Sequence, residues 1–166
     1  KQEVSVNLYP NESELLEADP IWNAVDTLIT TDCFTDKNLM KKGHEFHSDT
    51  DSEVFVHFIE DIQINAGCSL EEAVRLAMKE VVGAYAIAVM DATNPTQLIA
   101  ARKGSPLVIG VGEGEFFFAS DATPIIEYTH EMIYLNDYEI AVVRDGELTV
   151  KNIDNALQSP YIQTVE

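Results

Sequence analysis

Three carboxylates fall within six residues in the run Ser48-Asp49-Thr50-Asp51-Ser52-Glu53, directly ahead of an apolar stretch with helical spacing. Acids are favoured at a helix start by the exposed N–H groups and the macrodipole, so capping accounts for much of this run. The same placement permits a second use, in which one carboxylate turns into a pocket and takes a ligand ammonium through a charge-assisted hydrogen bond. His44, His47 and His57 lie close by in sequence to Asp49, Asp51 and Glu53. Imidazole and carboxylate suit zinc or iron. The spacing matches no known ligand signature, however, and the three read as solvent-exposed loop histidines, so neither metal nor cofactor is expected. Cys33 and Cys68 are the two thiols. A reactive thiol needs a base or cation to lower its pKa. Nothing local supplies one, although Cys68 stands just before a helix start, and both read as unreactive. Gly110-Val111-Gly112-Glu113-Gly114 is rich in glycine, but a phosphate loop leads from a strand into a helix. Here a second strand follows, and Glu113 and Glu115 would repel phosphate, so the run reads as a hairpin.

The elements that must position these residues sharpen from Lys37 onward. Thr50 with Glu53 has the form of a capping box, followed by an apolar face through Val54, Phe58, Ile59 and Ile62. Gly67 and Cys68 break the chain, and Ser69 with Glu72 forms a second capping box. The next helix is expected to bury Leu70, Ala73, Val74, Ala77, Met78 and Val81, and to end at Gly83. Ala84 to Met90 is apolar throughout, which suits a strand covered on both faces. Asn94-Pro95 reads as a turn. Strands are expected over Gln97 to Ala101, Leu107 to Val111, Glu115 to Ala119, Met132 to Leu135, Glu139 to Val143 and Glu147 to Ile153, with Asp145-Gly146 among the turns. Helices first and strands afterwards imply an α+β layered domain. Residues 1–36 show no clean period, and only Ala24 to Thr30 suggests a strand.

Bulk properties exclude some partners. The 166 residues carry ten Lys and Arg against 29 Asp and Glu, a formal charge of −19. Such a surface repels phosphate backbones and anionic lipid, which argues against nucleic acid and against a membrane surface. Lys1 to Pro10 lacks the apolar core of a signal peptide, and the longest apolar run, Val81 to Met90, is too short to span a bilayer. Two cysteines make no disulfide framework, so a reduced, cytoplasmic protein is the expectation.

Several stretches in order carry a resemblance. They are Gly43-His44-Glu45-Phe46 running into Ser48-Asp49-Thr50-Asp51-Ser52-Glu53-Val54, then Gly83-Ala84-Tyr85-Ala86, then Ala100-Ala101-Arg102-Lys103-Gly104-Ser105-Pro106-Leu107-Val108-Ile109-Gly110, then Ala119-Ser120-Asp121-Ala122-Thr123-Pro124. Together they resemble the glutaminase domain of glucosamine-6-phosphate synthase from about Lys37 to Val143. Upstream, Val6-Asn7-Leu8-Tyr9-Pro10 is similar to the family's V-N-A-H-P segment. The Arg102 to Gly110 and Ala119 to Pro124 stretches favour this family over the amidotransferase that makes phosphoribosylamine.

The resemblance implies a four-layer α/β/β/α sandwich of the N-terminal-nucleophile glutamine amidotransferase type, here partial. It implies glutamine hydrolysis by an N-terminal cysteine that uses its own α-amino group as base, with ammonia passing to an isomerase domain of the parent enzyme. Asp51 matches the aspartate that binds the substrate's α-ammonium group, which makes glutamine and glutamate the implied ligands. Aligning back from Gly43 puts Asp26 and Thr27 where the family has the Asn-Gly pair of the oxyanion hole. Asp26 there would bring negative charge to the place where an oxyanion develops, which is electrostatically wrong for catalysis. Lys1 stands downstream of the position of the nucleophile, so a chain without catalytic residues, inactive alone, is expected. The alternative is a degenerate, non-catalytic amidotransferase-like binding module. The implied organisation is a poorly matching segment over 1–36, a glutaminase-like core over 37–154 and the start of an interdomain linker over 155–166. Missing N-terminal strands would leave open sheet edges, from which self-association is expected, as a homodimer or as an aggregate.

Overall fold

The structure, a computed structural model, describes residues 36–165. The strand expected at Ala24 to Thr30, the positions Asp26 and Thr27, and Cys33 lie outside the described residues. The chain divides into two compact units; their described parts run from 36 to 84 and from 85 to 165.

The first unit is helical. Its elements are α1 (Asp36–Lys41), α2 (Asp51–Ala66) and α3 (Leu70–Glu80). Thr50 is the N-cap of α2 in extended conformation, as its position in the motif implies, but its side chain makes no capping bond. The capping box expected there does not close. Glu53 turns instead to the backbone of His47 and Ser48, because the chain before Thr50 folds back beside the first turn and offers those N–H groups first. Gly67, at φ +60°, ends α2 in the left-handed conformation. Ser69 caps α3 as expected, its Oγ accepting from Glu72 N at 3.2 Å. Leu70, Ala73, Val74, Ala77, Met78 and Val81 are all buried, so the three-and-four spacing reads correctly. The helix stops at Glu80 with an extended Val81 as C-cap. Gly83, at φ +118°, bends the chain beyond it rather than capping it.

The second unit holds two antiparallel sheets. One has the order β1 (Tyr85–Asp91), β2 (Asn94–Lys103), β6 (Glu139–Arg144), β7 (Glu147–Asn152), β8 (Leu157–Gln158). The other has the order β4 (Phe116–Ala119), β3 (Val108–Val111), β5 (Glu131–Tyr134), β9 (Ile162–Thr164). Ala100, Ala141 and Val150 from the first sheet and Leu107, Ile109, Ile133 and Leu135 around the second form one buried cluster, so the sheets pack face to face through it. A further cluster of Val108, Phe117, Ile125 and Met132 fills the opposite face of the second sheet. Strands β8 and β9 draw residues 157–158 and 162–164 into the sheets.

Two local expectations need correction. β1 is not covered on both faces: Tyr85 is buried while Ala86, Ala88 and Met90 are exposed. Among the described strands β1 lies at the end of its sheet, and two of its three exposed residues are alanines, which expose little apolar area there. The doubly covered strand is β2, where Leu98 to Ala101 are all buried. The turn between them is Ala92-Thr93, held by Asp91 Oδ1 accepting from Thr93 N at 2.7 Å, and Asn94-Pro95 already belongs to β2. The other turn readings stand. Asp145 and Gly146, at φ +52° and +81°, make the tight link between β6 and β7. The glycine run makes the β3–β4 hairpin, closed by Gly112 N donating to Glu115 O at 3.0 Å.

Candidate functional site

Asp51 opens α2, where the exposed N–H groups favour a negative charge. It is partly buried, and its Oδ2 is fully enclosed. The loop that delivers it is held by Glu53. This carboxylate accepts from Ser48 Oγ at 2.5 Å and from the backbone N–H groups of His47 and Ser48 at 2.7 Å each. The Ser48 hydroxyl first, then the His47 N–H, hold the Glu53 pKa down to about 2. Glu53 therefore stays ionised throughout the neutral range and pins Ser48 against the first turn. Asp51 projects from a segment whose entry is fixed on one side by this lock and on the other by the helix. A carboxylate so placed is suited to a primary ammonium, which can donate to it with charge assistance.

The histidines behave differently from their sequence reading. His47 is exposed in the loop, as expected. His44 and His57 are not solvent-exposed loop histidines: their side chains are 10% and 18% exposed, and His57 lies on α2. Gly43, at φ +101°, turns the chain after α1 so that His44 comes back over α2. Phe46 packs edge-on against the His57 ring at 4.6 Å between centroids. His44 Nδ1 and His57 Nδ1 stand 3.2 Å apart, and Glu60 Oε2 lies 3.2 Å from the first and 3.4 Å from the second. Sequence reading missed Glu60. The signal was its spacing of three from His57 on a helix, which puts both on one face. Beside this group Lys42 Nζ donates to the buried Asp61 at 2.5 Å.

The other motif stretches serve structure. Arg102 at the end of β2 donates to Leu135 O at 2.9 Å and to Asp137 Oδ1 at 2.5 Å. Asp137 also accepts from Gly104 N at 2.8 Å, and chiefly that bond holds its pKa below the ordinary carboxylate value. Asp121 Oδ1 accepts from Thr123 N at 2.7 Å and starts the turns that carry Ile125. Gly110 exists for close packing: a Cβ there would stand 2.3 Å from Ile125 Cγ2 and 2.9 Å from Thr129 Cγ2. Cys68 is a partly buried free thiol before α3. Asp26 and Thr27 lie outside the described residues, so Asp51 alone of the predicted site residues is placed.

Residues 15–127 match the family described as glutamine amidotransferase domain. The glutamine–fructose-6-phosphate aminotransferase (isomerizing) of Bacteroides thetaiotaomicron is 46% identical over 163 residues, covering 98% of this chain and 26% of the relative. The protein of the same name from Chlorobaculum tepidum is 50% identical over 131 residues, or 78% of this chain and 21% of the relative. The chain thus spans about a quarter of the length of these relatives. The likeness also extends upstream of Lys37, where the motifs thin out. Among solved structures, the glutamine phosphoribosylpyrophosphate amidotransferase of B. subtilis, complexed with ADP and GMP, superposes with a TM-score of 0.59. It is 21% identical and covers 70% of this chain and 25% of its own. That likeness gives the fold: an α+β sandwich of the N-terminal-nucleophile amidotransferase type, as the resemblance implied.

Proposed function

The chain belongs to the glutamine amidotransferase domain family, and from that premise we propose that it is the glutaminase portion of a glutamine–fructose-6-phosphate aminotransferase. In this reading it binds glutamine, and the ammonia released by hydrolysis passes to an isomerase domain for glucosamine 6-phosphate synthesis in the cytoplasm. Among the described residues no helix is long and apolar enough to cross a membrane, which is compatible with that setting.

Asp51 carries the reading. It holds the substrate's α-ammonium group, and Glu53 keeps the loop that presents it in one conformation. A carboxylate at a helix start, enclosed on one oxygen and delivered by a locked loop, orders little on binding, which limits the entropic cost. Hydrolysis itself needs a nucleophile with a base beside it. Residues 1–166 hold Cys33 and Cys68 as their thiols, and neither is assigned that role. These residues by themselves therefore bind glutamine without turning it over.

Calorimetric titration of the 166-residue chain with glutamine and glutamate, beside an ammonia-release assay, tests both halves. The expected outcome is saturable binding of the amino acids, lost in Asp51→Asn with the circular dichroism spectrum unchanged, and no ammonia. Binding that survives Asp51→Asn would remove the ammonium-holding role. Turnover with an adduct on Cys33 or Cys68 would mean a different active site. Self-association through sheet edges is a further part of the proposal, read by light scattering, in which a monomer at high concentration counts against it.

A further inference from the structure

The His44–His57–Glu60 group lies within the helical unit, and neither the family assignment nor the glutamine reading uses it. We propose that it is a binding site for a zinc-class divalent cation with three protein ligands: His44 Nδ1, His57 Nδ1 and Glu60 Oε2.

Distance is the first ground. The three atoms stand 3.2, 3.2 and 3.4 Å from one another. A tetrahedral zinc ion with bonds of about 2.0–2.1 Å holds its ligand atoms roughly 3.3–3.4 Å apart. The triangle thus has the size of one face of that tetrahedron, and a small shift seats the ion.

The surroundings of the rings are the second. The outer nitrogen of each ring faces a carboxylate: His44 Nε2 lies 3.8 Å from Asp61 Oδ1, and His57 Nε2 lies 3.7 Å from Glu53 Oε1. The two Nδ1 atoms and Glu60 Oε2 converge on one point from the other side. Carboxylates on the far nitrogens are what orients ligating histidines and raises their basicity.

Access and fixation complete the case. The group borders an open cavity of about 680 Å³ that also touches Glu45, Asp61 and Asn65, so a fourth position is left for water or a small anion. Glu60 is 54% exposed at its side chain and serves as the entry ligand. Among the described residues of the lining, Lys42 is the one Lys or Arg, and it is committed to Asp61. Gly43 and Phe46 hold the two rings where they are. An ion there would clamp the loop after α1 onto α2, two turns from Asp51.

The test uses the untagged 166-residue chain titrated with zinc chloride by calorimetry, with cobalt(II) as a spectroscopic stand-in. The expected result is one site per chain, a cobalt d–d spectrum of four-coordinate intensity, and a rise in thermal midpoint reversed by chelator. Glu60→Gln, at an exposed helix position that does not endanger folding, should weaken binding by about tenfold or more. His44→Ala and His57→Ala should abolish it, and His47→Ala, in the exposed loop, should leave it unchanged. An absence of zinc heat together with no cobalt d–d spectrum would overturn the proposal. Binding unchanged in Glu60→Gln and both histidine variants would overturn it equally, as scattered association with an acidic surface. Glutamine titration of the same variants reads the Asp51 site separately, so the two can fail independently.

Discussion

The family-like motifs fall in both units, and two of their stretches, Gly43 to Val54 in the helical unit and Ala100 to Gly110 in the sheet unit, each contain a loop locked by a carboxylate. In the first, Glu53 gathers the N–H groups of His47 and Ser48. In the second, Asp137 gathers Gly104 N and the Arg102 guanidinium. Both acids are held ionised by the bonds they accept. The difference lies in what else the loop carries. Arg102-Lys103-Gly104-Ser105-Pro106 has no second acid, and its lock connects β2 to the β5–β6 turn. The Glu53 lock sits two residues from Asp51 and four from His57, the two residues for which a ligand role is proposed. On that proposal the same loop device serves scaffold in one unit and ligand in the other, and a motif's recognisability does not say which.

The comparison breaks most readily at Gly110. If the second segment serves packing, an added side chain there has nowhere to go, with Ile125 Cγ2 at 2.3 Å and Thr129 Cγ2 at 2.9 Å. Gly110→Val should destabilise the sheet unit by about 2–3 kcal/mol, read as a lower urea midpoint. Gly43 in the first segment is the counterpart with the opposite cause. A Cβ there meets nothing within 4 Å, but φ is +101°. Gly43→Ala should cost about 1 kcal/mol through backbone strain alone and displace His44. A larger penalty at Gly43 than at Gly110 would reverse the assignment of packing to one segment and placement to the other.

The Asp137 lock comes next in size. Asp137→Ala removes the acceptor of Gly104 N and one partner of Arg102, leaving Arg102 bonded to Leu135 O. Its side chain is 50% exposed, so water replaces part of what is lost. The expected destabilisation is about 1 kcal/mol, with no change in amino-acid binding. A loss of glutamine binding in this variant would mean that the sheet-unit loop also serves the ligand.

Much of this was legible in the sequence wherever the signal was local. The face of α3 follows from six apolar residues spaced by three and four, the β6–β7 link from Asp145-Gly146, and the hairpin from glycine with no helix after it. What failed was set by the tertiary surroundings. Ala86 and Ala88 read as apolar, but only the place of β1 in its sheet decides that they face solvent. Glu53 read as a box partner for Thr50, yet the returning chain offered His47 and Ser48 N–H groups nearer. The His44–His57 pairing depends on a positive φ at Gly43, fourteen residues before the partner ring on α2. Asp51 is singled out only by likeness of a whole segment, because three acids at a helix start look alike to any argument from spacing.

The smallest effect at neutral pH, and the one that ties lock to ligand, belongs to Glu53. Its pKa falls from an ordinary 4.5 to about 2 on folding. A depressed carboxylate contributes stability that is fully present above its unfolded value and is lost as pH falls through the folded one. The stability of the helical unit should therefore decline as pH drops from about 4.5 toward 2, and Glu53→Gln should flatten that limb. At pH 7 the variant keeps its fold, since an amide oxygen still accepts one of the N–H bonds. Its glutamine affinity should fall, but less than in Asp51→Asn, because in the proposed reading Glu53 positions the loop and Asp51 holds the ammonium. Asp137→Asn supplies the control: its acid limb should flatten in the sheet unit with glutamine affinity intact. Should Glu53→Gln flatten the limb yet leave affinity untouched, the two locks would be equivalent, and the link between loop geometry and Asp51 would be lost.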